Sequence, residues 1–338
     1  MKYVTIKDIA AALGISKSTV SRALNEDSKN VSSETMRKIK ETAISMGYRR
    51  NEMAVNLRAK SNHVIGISVP EMSTAFSMRF VTEAQNMLME KGYRVTIAFS
   101  DESPDIERAN LEMFNRLRVD GVMVSPVHNT ANLDIYRKFI DMRIPLVFFD
   151  RVIPELNAPM VRSNDYIKSF FMVEHLIYNG CKKILHLEGP SFIHNSIDRK
   201  RGWKDAIRKF GIEFNPEYSI SCGVTVEDGA KAINEAIERG IDFDSVFCFT
   251  ETQAVGAKQR LQELGKRIPD DVSICTMSGT RLSKFVYPQI TASEQQVNKM
   301  AKAAIEMLLA KIEDFNAPCK SVTIDGQIVK RASTRNDR

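Results

Sequence analysis

Residues 6–24, with the sequence IKDIAAALGISKSTVSRAL, decide how the first part of the chain folds. Thr5 and Asp8 have the spacing of a helix-capping box, and apolar residues then recur on one helix face until Gly14 breaks the helix. Ser16 is placed to cap a second helix. Two short helices joined at a glycine turn have the spacing of a helix-turn-helix.

The segments that follow complete a small helical unit. A third helix is predicted after Ser32 or Ser33 and ends at Gly47, so residues 1–48 are predicted to form an all-α head. Residues 49–62 are polar and basic, with a short helical pattern over residues 51–58. They are too few to build a core, so we interpret them as a linker that folds on contact with a partner.

The excess positive charge of the chain lies in this first part. The 338 residues carry a net charge of +6. Up to Asn62 there are 12 basic and 6 acidic residues, and beyond it there are 36 of each. A basic excess confined to a small helical unit favours a polyanionic partner such as DNA.

The second helix carries the polar side chains that such a head would use. A helix-turn-helix projects the early polar residues of this helix, here Lys17, Ser18 and Arg22, into the major groove. Lysine and arginine suit guanine acceptors, and the hydroxyls of Thr19 and Ser21 suit phosphates. The alternative is a helical bundle that binds a protein, which the charge and the turn spacing disfavour.

Beyond His63 the pattern changes to alternating apolar strands and amphipathic helices, in two similar series. This order predicts an α/β core of two lobes, each a doubly wound parallel sheet, with a ligand cleft between them. We place the whole core at residues 63–338. Within it, the N-lobe is expected at about 63–161 and 291–320, and the C-lobe at about 162–290 and 321–330.

Several classes of function are disfavoured by the sequence. No apolar run approaches the ~18 residues that span a bilayer, and the N-terminus lacks an apolar signal core, so we expect a cytoplasmic protein without membrane contact. The five cysteines are scattered, and we expect neither a metal site nor catalysis from them. Nucleotide-binding glycine motifs and zinc-protease motifs are missing, which disfavours an enzyme. A free-standing solute-binding protein for transport shares the two-lobe core, but the basic head argues against it.

The chain resembles the LacI/GalR (lactose-repressor-type) family of bacterial regulators over nearly its whole length. The resemblance rests on the helix-turn-helix residues and on further matches spread along the core. These include Gly47-Tyr48, Ile65-Gly66, Val119-Asp120-Gly121, Phe149-Asp150-Arg151, Arg199-x-x-Gly202-Trp203, Pro269-Asp270-Asp271-Val272-Ser273 and Gln295. It implies a non-enzymatic repressor of carbohydrate-metabolism genes, without a cofactor, with a core similar to periplasmic sugar-binding proteins. It further implies a homodimer that binds a palindromic double-stranded DNA operator under allosteric control by a small effector.

The resemblance also implies the residues that contact DNA. Lys17, Ser18 and Arg22 are the base-reading positions, and residues 51–58 form a hinge helix that orders on specific DNA. Leu57 would wedge between base steps in the minor groove, unless it packs on the core instead. The full expected set is Thr5, Ser16, Lys17, Ser18, Thr19, Ser21, Arg22, Asn25, Tyr48, Asn51, Ala54, Leu57 and Arg58.

Carried over by position, the effector contacts implied by the resemblance lie at strand ends in the core. They are Phe76, Arg79, Asp101, Ser125, Arg151, Arg199, Thr250 and Ser278. The family's sugar-chelating Asp is replaced in the turn Met277-Ser278-Gly279, while basic groups border the lobes: Arg79, His128, Arg151, His194 and Arg199. This pattern favours an anionic effector, such as a hexuronate or sugar phosphate, over a neutral sugar. The alternatives are that Arg199 only braces its lobe and that the other basic groups face solvent.

Overall fold

The computed structural model describes residues 4–25, 30–48, 61–71, 75–128, 130–318 and 320–335. The chain divides into two compact units, Met1–Asn62 and His63–Arg338. None of the helices in these ranges is long and apolar enough to cross a membrane.

The head is a three-helix unit, as predicted. Its helices are α1 (Ile6–Leu13), α2 (Lys17–Leu24) and α3 (Ser33–Ser45). Gly14 ends α1 with a left-handed φ of 65°, a conformation that glycine adopts without steric cost. Ile9, Val20 and Ile39, one from each helix, are fully buried together, so the head has a core of its own.

The core unit alternates strands and helices along the chain. In chain order its elements are β1 (Val64–Val69), α4 (Ala75–Glu90), β2 (Arg94–Phe99), α5 (Pro104–Leu117), β3 (Gly121–Val124), α6 (Leu133–Asp141), β4 (Leu146–Phe149), β5 (Met160–Ser163), α7 (Asp165–Tyr178), β6 (Ile184–Glu188), α8 (His194–Lys209), β7 (Ser219–Ser221), α9 (Val226–Glu238), β8 (Ser245–Cys248), α10 (Glu251–Glu263), β9 (Ser273–Thr276), α11 (Leu282–Phe285), β10 (Thr291–Glu294), α12 (Val297–Glu313), β11 (Val322–Ile324) and β12 (Gln327–Val329). A 3₁₀ turn, Pro216–Tyr218, precedes β7.

These strands form two six-stranded sheets, one in each lobe. The N-lobe sheet has the order β11-β5-β4-β3-β1-β2, and all its pairs are parallel. The C-lobe sheet has the order β12-β10-β9-β8-β6-β7, and only the β10–β12 pair among its ladders is antiparallel. Apolar clusters cover both faces of each sheet, which explains why the strands read as continuous apolar runs.

The expected lobe boundaries were wrong at two places. β10 was assigned to the N-lobe, but it pairs with β9 and β12 in the C-lobe sheet. β11 was assigned to the C-lobe, but it pairs with β5 in the N-lobe sheet. The chain therefore passes between the lobes three times, at residue 164, residues 295–296 and residues 325–326, which we call the crossover segments.

Two glycines bring helix backbones into direct contact in the C-lobe. A Cβ at Gly202 of α8 would collide with the carbonyl oxygen of Tyr166 in α7. A Cβ at Gly256 of α10 would collide with the carbonyl oxygen of Val226 in α9. These crossings position α8 and α10, and both helices contribute residues to the cleft described below.

Candidate functional sites

The first candidate site is the outer face of α2. Lys17, Ser18 and Arg22 are exposed, while Val20 and Ala23 on the opposite face are buried in the head. The apolar residues therefore fix the rotation of the helix and leave the predicted base-reading side chains in solvent. This arrangement suits insertion of α2 into a major groove.

Some of the predicted contact residues also have local structural roles. The Ser16 hydroxyl accepts a hydrogen bond from the Thr19 amide at 3.1 Å, which caps α2. It also lies 2.7 Å from the Ser18 hydroxyl. The Thr5 hydroxyl donates to the Asp8 carboxylate at 2.7 Å. These bonds stabilise the starts of α1 and α2. They do not test contact of Thr5 and Ser16 with DNA, which stays a prediction.

The remaining predicted DNA contacts divide into two groups. Ser21 is half-buried and Asn25 is exposed, both on or just after α2, and Tyr48 packs against the head core. Asn51, Ala54, Leu57 and Arg58 lie outside the described residues, and so does the predicted hinge helix.

The second candidate site is a cleft of about 150 Å³ between the two lobes, open to solvent at its mouth. It lies at the carboxyl ends of strands β1, β4, β8 and β9, the edge where open α/β sheets bind ligands. Its lining comprises Pro70, Glu71, Ala75, Phe76, Ser77, Asp150, Arg151, Ile193, Asn195, Arg199, Val224, Phe249, Thr250, Glu251, Thr252, Ser278, Thr280, Leu282 and Gln295.

The cleft gathers five of the eight predicted effector residues: Phe76, Arg151, Arg199, Thr250 and Ser278. Arg79 lines an adjoining groove instead. Asp101 and Ser125 are not among the lining residues: Asp101 is exposed in a left-handed turn, and Ser125 is buried in its lobe.

Arg199 is held in place from several sides. Its Nε donates to Asp165 at 2.9 Å, and its Nη1 donates to the Phe249 carbonyl oxygen at 2.6 Å. The guanidinium also lies 4.4 Å from the centre of the Phe249 ring. Only 4% of Arg199 is exposed, and its pair with Asp165 neutralises its charge inside the lobe.

Arg151 is neutralised in the same way from the N-lobe. It makes a bidentate pair with Glu102, with N–O distances of 2.7 and 2.8 Å. Burial lowers the pKa of this guanidinium, but the hydrogen bonds to Glu102 and the charges of Glu102, Asp150 and Glu71 together raise it. The pair fixes the loop that follows β2 against the end of β4.

The other basic groups predicted to attract an anion also have neighbours. Arg79 lies 4.0 Å from Glu83 on the same helix. His194 lies 3.4 Å from Asp198, and hydrogen bonding to that carboxylate raises the pKa of the imidazole. The His128 ring stacks on Phe192 with a centroid distance of 4.9 Å. Of these five basic groups, only Arg151 and Arg199 line the cleft, and both are paired with acids.

Asp150 lines the cleft from the N-lobe, as does Glu71. Burial and the nearby Asp165 raise the pKa of Asp150 to about 6, although Arg151, Arg199 and Lys168 oppose the shift. Its carboxylate accepts a long hydrogen bond from Asn195 at 3.4 Å. A carboxylate here can accept hydrogen bonds from ligand hydroxyls, the role of the acid that is missing after β9.

The C-lobe rim of the cleft is braced by a second acid. The buried Glu251 carboxylate accepts hydrogen bonds from the amides of Thr280 and Ser283 at 2.8 and 2.7 Å. The Ser278 hydroxyl accepts from the Glu251 amide at 3.0 Å, and the Thr250 hydroxyl caps α10. The rim is thus rigid, and Thr250 and Ser278 support it as well as line it.

Sequence reasoning missed Asn195 and Phe249. Asn195 lies four residues before Arg199, which places both on one face of α8, and this spacing could have identified it. Phe249 follows strand β8 directly and supplies an aromatic surface to the cleft.

Chemistry based on metals or thiols has little support in the described ranges. They contain no group of three or more His, Cys, Asp or Glu side chains that could hold a metal ion. Cys181, Cys222, Cys248 and Cys275 are free thiols. Burial raises the pKa of each, that of Cys222 to about 12, so they stay protonated at neutral pH.

Family models match both the head and part of the core. A model described as bacterial regulatory proteins, lacI family, matches residues 5–51, and one described as periplasmic binding protein-like domain matches residues 173–334. The ribose operon repressor of Halalkalibacterium halodurans is 27% identical over 334 residues, which cover 98% of this chain and 97% of that protein.

Solved structures share the fold over the whole chain. The lac repressor dimer bound to operator and the anti-inducer ONPF superposes with a TM-score of 0.85 at 20% identity, covering 99% of this chain and 100% of the other. A complex of the transcriptional regulator CelR with cellobiose superposes with a TM-score of 0.75 at 21% identity, covering 98% and 99%.

Proposed function

The chain is a transcriptional regulator of the LacI family, and from this premise we propose that it binds a palindromic operator as a homodimer under the control of a sugar-like effector. Its relatives are named as repressors, and it is a regulator rather than an enzyme. The observation that carries the proposal is the exposed set Lys17, Ser18 and Arg22 on a helix fixed by a buried opposite face. Acting on the bacterial chromosome, it would work in the cytoplasm.

The cleft favours an uncharged effector over an anion. Glu71, Asp150 and Glu251 line it, against Arg151 and Arg199, which already have acidic partners. An anionic ligand would meet more negative than positive charge, whereas hydroxyl groups could donate to Asp150 while an apolar sugar face packs on Phe249. The name of the ribose operon repressor is consistent with this choice.

Regulation follows from linkage between two sites. An effector that contacts Asp150 in one lobe and Phe249 in the other favours one angle between the lobes. The lobe angle would set whether the linker at residues 49–62 orders on the operator. A coupling free energy of about 1–3 kcal/mol changes operator affinity roughly 5–150-fold. The sign of that change decides whether the effector acts as an inducer or as a corepressor.

DNA binding is tested by selecting duplexes from a random pool with the purified full chain, followed by gel shifts at a stated salt concentration. We expect a palindrome to be enriched and to bind at least 1,000-fold more tightly than random duplex, as specific regulators do (about 10³–10⁷). A chain without residues 1–62 is the control and should select nothing. Equal affinity of the full chain for all duplexes would overturn the proposal.

The effector is tested in two steps. Mass spectrometry of small molecules released from denatured protein identifies any that copurify. Calorimetry then compares D-ribose and cellobiose with ribose 5-phosphate and D-glucuronate. Tighter binding of the neutral sugars supports the charge argument, and tighter binding of either anion contradicts it. The Asp150→Asn variant should weaken any neutral sugar that binds.

A further inference from the structure

Lys168 of α7 is a buried lysine at the junction of the two lobes, with only 5% of its surface exposed. Its ammonium donates a hydrogen bond to the hydroxyl of Ser163, the last residue of β5. On another side it lies against Gly326, where a Cβ would come within 2.8 Å of Nζ. The Lys168 side chain therefore contacts Ser163, which precedes the first crossover segment, and Gly326, which lies in the third.

The crossover segments are also joined to one another at this point. Gln296 donates from its side-chain amide to the carbonyl oxygen of Asp325 at 2.7 Å. A Cβ at Gly326 would lie 2.6 Å from the carbonyl oxygen of Glu294, so only glycine fits beside β10. Movement of the lobes about their crossovers must therefore rearrange the surroundings of Lys168.

The charges around Lys168 connect the crossovers to the cleft. Burial lowers the pKa of its ammonium and the Arg199 charge lowers it further, whereas Asp165, Asp325 and Asp150 raise it. Asp150 lines the cleft, Asp165 pairs with Arg199, and Asp325 belongs to the third crossover segment. The ammonium is thus within the electrostatic influence of acids in the ligand site and in the third crossover segment.

Stability alone does not account for this lysine. Burying an ammonium costs free energy, and an apolar side chain of similar length would fill the space without that cost. Lys258 offers the contrast, since it is equally buried but donates to a single carbonyl oxygen, that of Tyr287, at 2.6 Å. Burial is the one cause of its lowered pKa, and its contacts stay within the C-lobe.

We propose that Lys168 is a positioning residue that sets the angle between the lobes by holding Ser163 and the third crossover segment around one ammonium. It transmits a change of hydrogen bonding at Asp150 to the crossovers. The transmission step rests on the proposed function of the cleft, whereas the effect on the lobe junction does not.

The test is amide hydrogen exchange of the full chain, read by mass spectrometry. We expect Lys168→Met to speed exchange at least tenfold in residues 161–166 and 323–328, with less than a twofold change in α9 and α10. Lys258→Met removes a buried lysine without touching the crossovers and is the matched control. It should leave exchange at the crossovers unchanged even if it lowers Tm.

Ser163→Ala provides a milder variant if Lys168→Met does not fold. It removes the hydroxyl acceptor and should accelerate exchange in the same two ranges. Unchanged exchange there in Ser163→Ala, or an equal acceleration in Lys258→Met, would overturn the proposal. The measurement needs neither DNA nor effector, so its failure is distinct from failure of the proposed function.

The transmission step is tested by a double-mutant cycle with Asp150→Asn. This substitution should change exchange at the crossovers at least threefold when Lys168 is present, and by less than half as much in the Lys168→Met background. Equal effects in both backgrounds would show that Asp150 and the crossovers communicate without Lys168.

Discussion

The reading face of α2 and the cleft between the lobes differ in how their side chains are held. Lys17, Ser18 and Arg22 point into solvent, and the helix below them is fixed by contacts within the head. In the cleft, Arg199 is buried and bonded to Asp165 and to the Phe249 carbonyl oxygen, 34 and 50 residues away. The side chains of the first surface are free to adapt to a partner, whereas those of the second are already held by contacts within the protein.

The largest effect expected from this difference is on stability. Arg199→Met leaves Asp165 buried without its partner, which costs about 3–5 kcal/mol. Urea denaturation of the core measures the loss. Arg201→Met on the same helix removes a largely exposed arginine from its pair with Asp198 and should cost about 0–1 kcal/mol. Similar losses for the two variants would show that the cleft arginine is no more constrained than a surface one.

The second effect depends on pH. The pKa of Asp150 is about 6 in the folded chain against 3.8 ordinarily, so the folded state holds a proton that the unfolded state releases. The stabilisation that this bound proton gives the folded state is therefore lost as pH rises from about 4 through 6. Asp150→Asn should raise stability at pH 7.5 by up to about 3 kcal/mol relative to the original chain, and hardly at pH 4. Thermal melts of both proteins at both pH values measure this, and a difference independent of pH would contradict it.

A smaller effect is expected on the reading face, where side chains have no buried partners to lose. Arg22→Ala should cost about 1–3 kcal/mol in binding the selected operator and much less on random duplex, with little change in Tm. Titrations at fixed salt measure both affinities. Lys38→Ala in α3 is the control for loss of one positive charge. Equal weakening on both duplexes would place Arg22 on phosphates instead of bases.

The smallest effect concerns the support of that face. Ser16→Ala removes the acceptor for the Thr19 amide and should destabilise α2 by about 1 kcal/mol. Amide exchange in residues 17–25 of the full chain should then become about fivefold faster. Ser18→Ala keeps the cap and is expected to leave exchange unchanged. A slower or equal rate in Ser16→Ala would mean that tertiary contacts alone hold the helix.

The sequence predicted the head and the α/β order of the core because both depend on local patterns. Caps at Thr5 and Ser16 and the glycine turn at Gly14 all lie within a few residues of what they control. The assignment of β11 failed for the opposite reason. β11 and β12 are both three-residue strands, and pairing with β5 or β10, far away in sequence, decides which sheet each joins.

The cleft was predicted only in part for a similar physical reason. The sequence shows which side chains are basic, but not that Glu102 lies beside Arg151 or that Asp165 lies beside Arg199. Those pairs form between segments that folding brings together, and they decide whether a cation is available to a ligand. The expectation of an anionic effector rested on residue types alone, and it stays a prediction that the calorimetry decides.

Because the chain crosses between the lobes three times, each lobe needs a strand that the ribosome makes late. The head is finished by residue 48, whereas neither sheet has all its strands until residues 322–329 emerge, more than 270 residues later. At about 5–20 residues per second this interval lasts roughly 15–55 s. During that time the nascent polypeptide has a complete head and an incomplete core. Each sheet therefore gains its last strand, β11 or β12, only when this late segment is made.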